Sequence, residues 1–542
     1  MISKIKIDQL LLFFLLSIAF LLFSFGKELL FENQNQQSGL TKYFEIENEI
    51  DAPKQGLVSF NDSIQVYDSS LEFWYSTNGG EDFTLSKEFI SINEIVNSDI
   101  IHFPTSLQWK QPIGNFEGCK SLVVQLKNKA DNSLCEKRVY TFLTNEIENL
   151  PVIALTLPEN NLFGEDDGIM TYGENSFSDK GFYNAWWNRS ANFTNRGFES
   201  EKQTFFQYFE NGKLMTEQYC GIRISGNATR GFPQKSMQIV ARKMYGNDQF
   251  DFPFFDESGK NKYTSLVIRN SGNDNTKTMF ADLFMHRLAE NSNVLTLKGK
   301  PTIVYINGNY WGIYNLRERI DEYFIAEIED VKESEVTILE GGAADLKDGS
   351  ERDKAKFDLF MEKIREKENV DDKLYAEFSE VMDMASFIDY IFFETYFGNK
   401  DWPNNNSTWY KAGEGKWKWI LNDLDYSLAY QGQQNVNINL FEKLKKSESV
   451  VGYLFQQLMT NQNFKEQFVQ RSEEIITENL SLLNVTNCSE ELKTLYQPEM
   501  KKHIDRWRMI GTIEDWEQNC KMNLDFLTKR RLIYLDQLHN LK

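Results

Sequence analysis

The sequence predicts an α+β chain in which a small antiparallel β-sandwich is followed by a β-rich region and then by a mostly helical one. Three observations predict it. Short alternating runs such as LEFWYST, SLVVQLK and RVYTFLT, divided by the turn signals NGG, GN and ADNS, fill residues 44–147. Further strand-like runs continue from LPVIALTLPE, so that 148–330 reads as a second, β-rich unit. Over 331–542 helical periodicity dominates. In MDMASFIDYIFFETYF, residues Ile388, Ile391, Phe392, Thr395 and Tyr396 fall at i, i+3, i+4, i+7 and i+8, and Phe464, Phe468, Ser472, Ile475 and Ile476 make a second such stripe.

A chain of 542 residues with 42 Phe, 23 Tyr and 11 Trp can bury more than one core. Its 59 basic and 80 acidic residues leave a formal charge of −21, and no basic block stands out, which excludes a nucleic-acid backbone as the expected partner. Residues 1–26 carry Lys4 and Lys6 and then an apolar run from Leu10 to Phe25, the pattern of a signal peptide or an N-terminal membrane anchor. The expected location is therefore extracytoplasmic, secreted or held at the membrane by this segment alone, with 27–43 as a polar linker. Five cysteines without a CxxC spacing exclude a zinc ribbon. Cys119 with Cys135 and Cys488 with Cys520 either pair or remain buried thiols.

The chemistry is expected around NKDWPNNN, residues 399–406. Gly398 ends the preceding helix, so Asp401 and Asn406 fall on a loop leaving a buried element. STWYK (407–411), a turn AGEG, and KWKWIL (416–421) then read as a hairpin whose far end delivers NDLD. Residues flanking the two ends of a hairpin are neighbours, so Asn406 should meet Asp423 and Asp425. Carboxylate and amide oxygens are hard ligands suited to Mg²⁺ or Mn²⁺. A helix, a loop with an Asp and an Asn five positions on, a hairpin and a metal-binding Asp is also the layout of a kinase core. The other reading is an Asx-rich turn held by local hydrogen bonds.

Upstream, GIRISGNATRGFPQKSMQIVAR gives a strand, a turn carrying Gly226 and Arg230, and a second strand on which Lys235 shares a face with Met237, Ile239 and Ala241. A lysine pointing to an apolar side needs a partner, either a nucleotide phosphate or water reached by snorkelling. Backbone N–H groups of Ser225, Gly226 and Asn227 are candidates for phosphate, although the spacing is neither a Walker loop nor GxGxxG.

Across residues 150–540 the chain resembles the CotH kinase-like family, named for a spore coat protein, on RISGNATRGFPQKS, YGNDQFDFPFF, LVIRNSGND, VYINGNYWGIYNLRERIDEYFI, NKDWPNNN and WKWILNDLDYS. The N-terminal module resembles the sandwich appended to chitobiase and hexosaminidase-type enzymes. The kinase-like resemblance implies a bilobal, atypical protein-kinase-like fold, with a β-rich small lobe and a helical large lobe. It implies ATP and Mg²⁺ as cofactors, Asp401 as the catalytic-loop Asp that accepts or orients the substrate hydroxyl proton, Asn406 with Asp423 or Asp425 as metal ligands, Lys235 on phosphate, and Glu318 near the lobe junction where adenine would lie. Two departures stand out. Ala281 sits where relatives carry Arg before the Asp matching Asp282, so the acidic partner of Lys235 is left between Asp282 and Glu290, and DLD replaces DFG.

The expected function is ATP-dependent phosphoryl transfer to Ser/Thr hydroxyls of a surface or envelope protein, with the ligands of one divalent ion and Lys235 converging in a cleft. A kinase-like scaffold for surface assembly or adhesion, its N-terminal module binding a glycan or a surface protein, is the second reading. A DxD glycosyltransferase is the third.

Overall fold

The computed structural model describes residues 50–541 apart from 53, 58–61, 87–88, 117, 144–149, 174–189, 256–259 and 431. The expected leader and linker lie outside the described residues. Alternating sequence first produces β1 (Ile50–Asp51), β2 (Gly56–Leu57), β3 (Ser63–Val66), β4 (Leu71–Ser76), β5 (Thr84–Leu85), β6 (Phe89–Ser91), β7 (Cys119–Asn128) and β8 (Arg138–Leu143). β1, β3 and β6 form one antiparallel sheet, while β5, β4, β7 and β8 form a second ladder. Ile64 and Ile90 of the first and Phe73, Leu126 and Phe142 of the second meet in one buried cluster. Cys220, Cys488 and Cys520 are free thiols, and Cys119 and Cys135 are both buried.

The second unit contains β9 (Val152–Thr156), α1 (Glu159–Phe163), β10 (Lys202–Glu210), β11 (Lys213–Ile224), β12 (Met237–Val240), β13 (Phe250–Asp251), β14 (Lys262–Tyr263), β15 (Ser265–Arg269), α2 (Ala281–Ala289), β16 (Gly299–Ile306) and β17 (Asn309–Arg317). Seven of these strands close on themselves in the order β10, β9, β16, β17, β15, β12, β11 and back to β10; only β9 and β16 pair in parallel. Leu155, Phe206, Ile222, Ile239, Leu266 and Leu316, one from nearly every strand, share one cluster, so the ring encloses packed side chains. Residues of opposite parity, such as Val152, Ile303, Tyr305 and Ile313, join the helical core instead. β2 links this ring to the first module, since Gly56 pairs with Lys213 on one side and Phe142 on the other.

The rest of the chain comprises α3 (Glu322–Glu329), β18 (Val336–Glu340), β19 (Asp345–Asp348), α4 (Glu351–Arg365), α5 (Asp372–Val381), α6 (Met384–Phe397), β20 (Thr408–Ala412), β21 (Lys418–Ile420), α7 (Leu440–Leu444), α8 (Val450–Leu458), α9 (Gln462–Thr477), α10 (Leu482–Trp507) and α11 (Ile513–His539). The expected hairpin is present as β20 and β21, with Trp409 opposite Trp419 and the rings stacked at 6.3 Å. It belongs to a four-stranded sheet ordered β19, β18, β20, β21, a pairing with β18 that local pattern did not indicate. α6 is buried on every side from Ser386 to Phe397, beyond the single stripe expected, because helices and sheet surround it. The stripe expected at 464–476 is the buried face of α9. Among the described residues no helix is long and apolar enough to cross a membrane.

His503 of α10 fixes the helix to the ring by accepting a hydrogen bond at Nδ1 from the Ile313 amide at 3.0 Å. Burial, aided by Arg506, pulls its pKa from 6.5 down to about 3. The folded value lies below the unfolded one, so the unfolded chain takes the proton first. Stability carried by neutral His503 is complete above pH 6.5 and declines as pH falls toward 3, by up to about 1.4 kcal/mol per pH unit. His503→Gln should therefore flatten the dependence of the urea midpoint on pH between 6 and 4; an unchanged slope would contradict this account.

Candidate active site

The site begins at the end of α6. Asp383 caps its start by accepting from the Ser386 amide, and Gly398, at φ 73°, ends it in the left-handed conformation with its N–H on the Glu394 carbonyl. The following loop is anchored from below. Trp402 is fully buried and donates Nε1–H to the Tyr390 hydroxyl at 2.8 Å. Lys443 of α7, which nothing in the sequence pattern singled out, donates from Nζ to the carbonyls of Lys400 and Trp402. Above that anchor the Asp401 carboxylate is exposed and accepts from Nδ2 of Asn405 at 2.9 Å and of Asn406 at 3.2 Å. Asn399, wholly buried, reaches across to the Asp423 carbonyl at 3.4 Å. The asparagines thus orient one carboxylate and tie its loop to the far end of the hairpin.

At that far end Asp423 adopts a positive φ of 54°, and its carboxylate, 36% exposed, lines a cleft of about 180 Å³. Arg269 at the end of β15 binds both acids through Nη2, at 2.5 Å to Asp423 and 2.7 Å to Asp425. Asp425 is buried and further held by the Asn273 amide at 3.0 Å and its Nδ2 at 2.8 Å. Gly272, at φ 59°, permits this approach: a Cβ there would stand 1.7 Å from the Asp425 carboxylate. Burial and the neighbouring Asp423 push the Asp425 carboxyl well above its ordinary range, against the pull of Arg269. Burial opposes the charge of Arg269, but Asp423, Asp282 and Asp425 outweigh it and keep the guanidinium firmly protonated.

Asp282 on α2 completes the network. Its Oδ2 binds Arg317 Nη1 at 2.5 Å, its Oδ1 accepts from the Leu424 amide at 2.9 Å, and Arg269 Nε stands 4.0 Å away. Burial would raise its pKa, yet Arg317 and Arg269 hold it well below the usual carboxylate range. The same cleft is lined by His286, Arg317 and Glu318. His286 accepts at Nδ1 from the Leu297 amide, which leaves the proton on Nε2; burial and Arg317 lower its pKa to about 3. His286 Nε2, Arg317 Nε and Arg269 Nε are buried and have no hydrogen-bond partner among the described residues. Three unused donors around one cleft suit an acceptor-rich or anionic ligand. Glu318 accepts from the Lys298 amide at 2.8 Å, and burial raises its pKa.

The structure therefore brings together Asp401 with Asn406, and Asp423 with Asp425, joins the two loops through Asn399, and sets Glu318 on the cleft that Asp423 lines. It does not bring Lys235, Arg230 or Gly226 there. Lys235 lies ahead of β12 and not on it, in a segment buried at every position from Gln234 to Val240, and its Nζ donates to the carbonyls of Arg230 at 2.8 Å and Phe232 at 3.2 Å and lies 3.6 Å over the Phe193 ring. Arg230 in turn donates Nε–H to the Gly226 carbonyl at 2.7 Å and Nη1–H to that of Asn195 at 2.9 Å. Carbonyl dipoles and a ring face replace the expected phosphate, and burial pushes the Lys235 pKa well down. Of that turn only Ser225 reaches the cleft. Asp282 pairs with arginines and not with Lys235, and Glu290 caps the opposite end of α2. Arg269 in LVIRNSGND is a site residue that the sequence marks only weakly, as an arginine ending a strand directly before a Gly- and Asn-rich turn.

Fold and site define a mixed α+β protein whose cleft sets two carboxylates and clustered arginines beside an Asp-Asn loop. The family model described as CotH kinase protein matches residues 222–534, more than half of the chain and every site residue above. The chain belongs to the CotH kinase family. No curated protein matches it.

Two substitutions separate the roles of the cations. Lys235→Ala strips two carbonyls of their donor and should lower stability in urea by about 2–4 kcal/mol without altering the cleft. Arg269→Ala removes the cation that opposes the raised Asp425 pKa and should move proton uptake by the folded protein to higher pH, read by potentiometric titration. Equal titration curves for Arg269→Ala and the parent would show that Arg269 does not neutralise the pair.

Proposed function

We propose that this CotH-family chain is an ATP- and divalent-metal-dependent phosphotransferase acting on Ser/Thr hydroxyls of surface or envelope proteins. What carries the reading is the convergence of Asp423 and Asp425 on Arg269 at the edge of the cleft, with the Asp401 loop tied to the same segment. In this reading the donors would be the Asp423 carboxylate and the Asn406 amide oxygen on the adjoining loop, hard oxygen ligands of the kind a divalent cation takes. Asp423 would hold the ion with Asn406, being the acid exposed to the cleft, while buried Asp425 positions Arg269. Such an ion supplies charge neutralisation of the transferred phosphoryl group.

The remaining work falls to the chain's own residues. Asp401, exposed and oriented by two amides, accepts or directs the proton of the attacking hydroxyl. Arg269 and Arg317 take the phosphate-binding part that the lysine was expected to play, since they line the cleft and carry unused N–H donors. Glu318, which lines the cleft, would in this reading meet the base. In this reading the ring of strands serves as the small lobe, α6 to α11 as the large lobe, and the segment 1–26 directs export or anchors the chain.

Asp401→Asn should leave nucleotide binding intact and lower transfer from radiolabelled ATP by about 10²–10⁴-fold. Asp423→Asn should weaken binding of Mg-ATP by roughly tenfold or more in calorimetry. Full labelling by both variants would refute the assignment. The scaffold reading gains support from the same Arg269 contact, which already neutralises the acids; a calorimetric titration with Mg-ATP that releases no heat would favour it.

A further inference from the structure

A second concave site lies away from the cleft, where the first module meets the ring. β2 is only two residues long, yet it fills the place between β8 and β11, parallel to the first and antiparallel to the second. Toward the start of β8, beyond the Gln55 side chain, no strand among the described residues pairs in that place. Strand pairing on the β2 side of β8 covers Phe142 and Leu143 only, leaving Arg138–Thr141, and on the same side of β11 it covers Lys213 and then Gly221–Ile224, leaving 214–220. Between these two uncovered edges runs a groove of about 640 Å³, lined among others by Arg138, Val139, Tyr140, Gln218, Tyr219 and Tyr245.

The groove is built for an extended main chain. The Thr141 N–H turns toward it and is satisfied by Gln55 Oε1 at 3.0 Å, so by the two-residue alternation of a strand the N–H and C=O of Val139 face the groove as well. Gln218 on the opposite edge has its Nε2 buried without a partner among the described residues. One end is closed by a fixed polar network: Gln207 Nε2 donates to Gln55 Oε1 at 2.6 Å and to Glu217 Oε2 at 2.7 Å. Phe205 and Tyr219, directly opposed in the β10–β11 ladder with ring centroids 4.7 Å apart, and Tyr245 offer aromatic surface to side chains. The two acids in the lining, Glu136 and Glu217, are balanced by Lys137 and Arg138, in contrast to the acidic chain as a whole.

We propose that this groove binds an extended, uncharged polypeptide segment of a partner protein, which adds a strand between β8 and β11 in line with β2. Two facing strand edges with unclaimed backbone groups are the requirement for strand addition, and β2 shows that a strand fits between them. A sugar would use the rings and amides but not the backbone edges. Apolar residues at every second position of the segment would meet Tyr219 and Tyr245, and a net charge would gain nothing from the balanced lining. The site is independent of the phosphotransfer reading, because groove and cleft share no residue.

The experiment uses the full chain and synthetic peptides chosen from a displayed library of random twelve-residue segments selected against it. Amide hydrogen exchange should find Val139 fast in the free protein, and slowed at least tenfold by a selected peptide together with amides in 214–220. The same peptide N-methylated at alternate residues should bind at least tenfold more weakly, a control that leaves the protein unaltered. Gln218→Ala should weaken binding severalfold with the circular dichroism spectrum unchanged. Slow exchange of Val139 in the free protein, selected peptides that protect neither edge, or indifference to N-methylation would each overturn the proposal. So would protection of the groove by maltopentaose or cellopentaose with no effect of any peptide.

Discussion

Arg269 is the point through which the candidate site is assembled. Its guanidinium lies at the end of a strand of the β-ring and binds Asp423 and Asp425, which lie just beyond the hairpin at the end of the helical region's sheet, while Asp282 of α2 stands alongside. Segments of the chain more than 140 residues apart thus share one positive charge. Removing two carboxylates from water without such a partner is unfavourable by several kcal/mol, so the segment 421–425 has few alternatives to this position. Asp282 adds a second tie by accepting the Leu424 amide, and Asn399 a third by donating to the Asp423 carbonyl. The cleft keeps its shape because these contacts are buried, and it keeps a ligand-sized space because Asp423 and Arg269 stay partly exposed at its edge.

The division of labour among cations follows from the same electrostatics. A lysine can satisfy its ammonium on carbonyl oxygens within one turn and on a ring face, as Lys235 does with Arg230, Phe232 and Phe193. It then organises a loop and has no need of an acid. A guanidinium presents several donors in a plane, so Arg269 can join two carboxylates and Arg317 can hold Asp282 while the Nε of each is buried with no hydrogen bond among the described residues. The residue that a kinase-like layout assigns to phosphate and the residues positioned to meet one are therefore different side chains in this molecule. The Asp282–arginine contacts occupy the place expected of a lysine–acid pair, which accounts for the missing acidic partner of Lys235.

The loop after α6 shows how local composition and long-range packing cooperate. Asn405 and Asn406 satisfy Asp401 from within the loop, a short-range arrangement to which Asx residues are suited. Such a turn alone would be mobile. Trp402 beneath it, bonded to Tyr390 and fully buried, and Lys443 on two loop carbonyls hold it against the helical core. An exposed carboxylate on a rigid base can serve as an acid or base, whereas the buried Asp425 nearby is held in a structural part. Environment, more than residue type, separates the two.

Much of this was readable from the chain alone because it is local. The apolar stripes of α6 and α9, the stop at Gly398, the hairpin that places Trp409 opposite Trp419, the turn at Asn307 and Gly308, and the five-residue step from Asp401 to Asn406 all depend on neighbours within a few residues. The burial of Lys235 does not come from strand parity, since β12 starts only at Met237 and both parities are buried from Gln234 to Val240. What Lys235 meets once buried is a matter of which loop folds over it, and a run of ten residues carries no record of that. The closure of seven strands into a ring, the pairing of β18 with β20, the complete burial of α6, and the choice of Arg269 as partner of Asp423 and Asp425 were decided only in three dimensions. Each joins segments far apart in sequence, and a backbone edge or a buried charge accepts whichever complementary group the packed chain brings within reach.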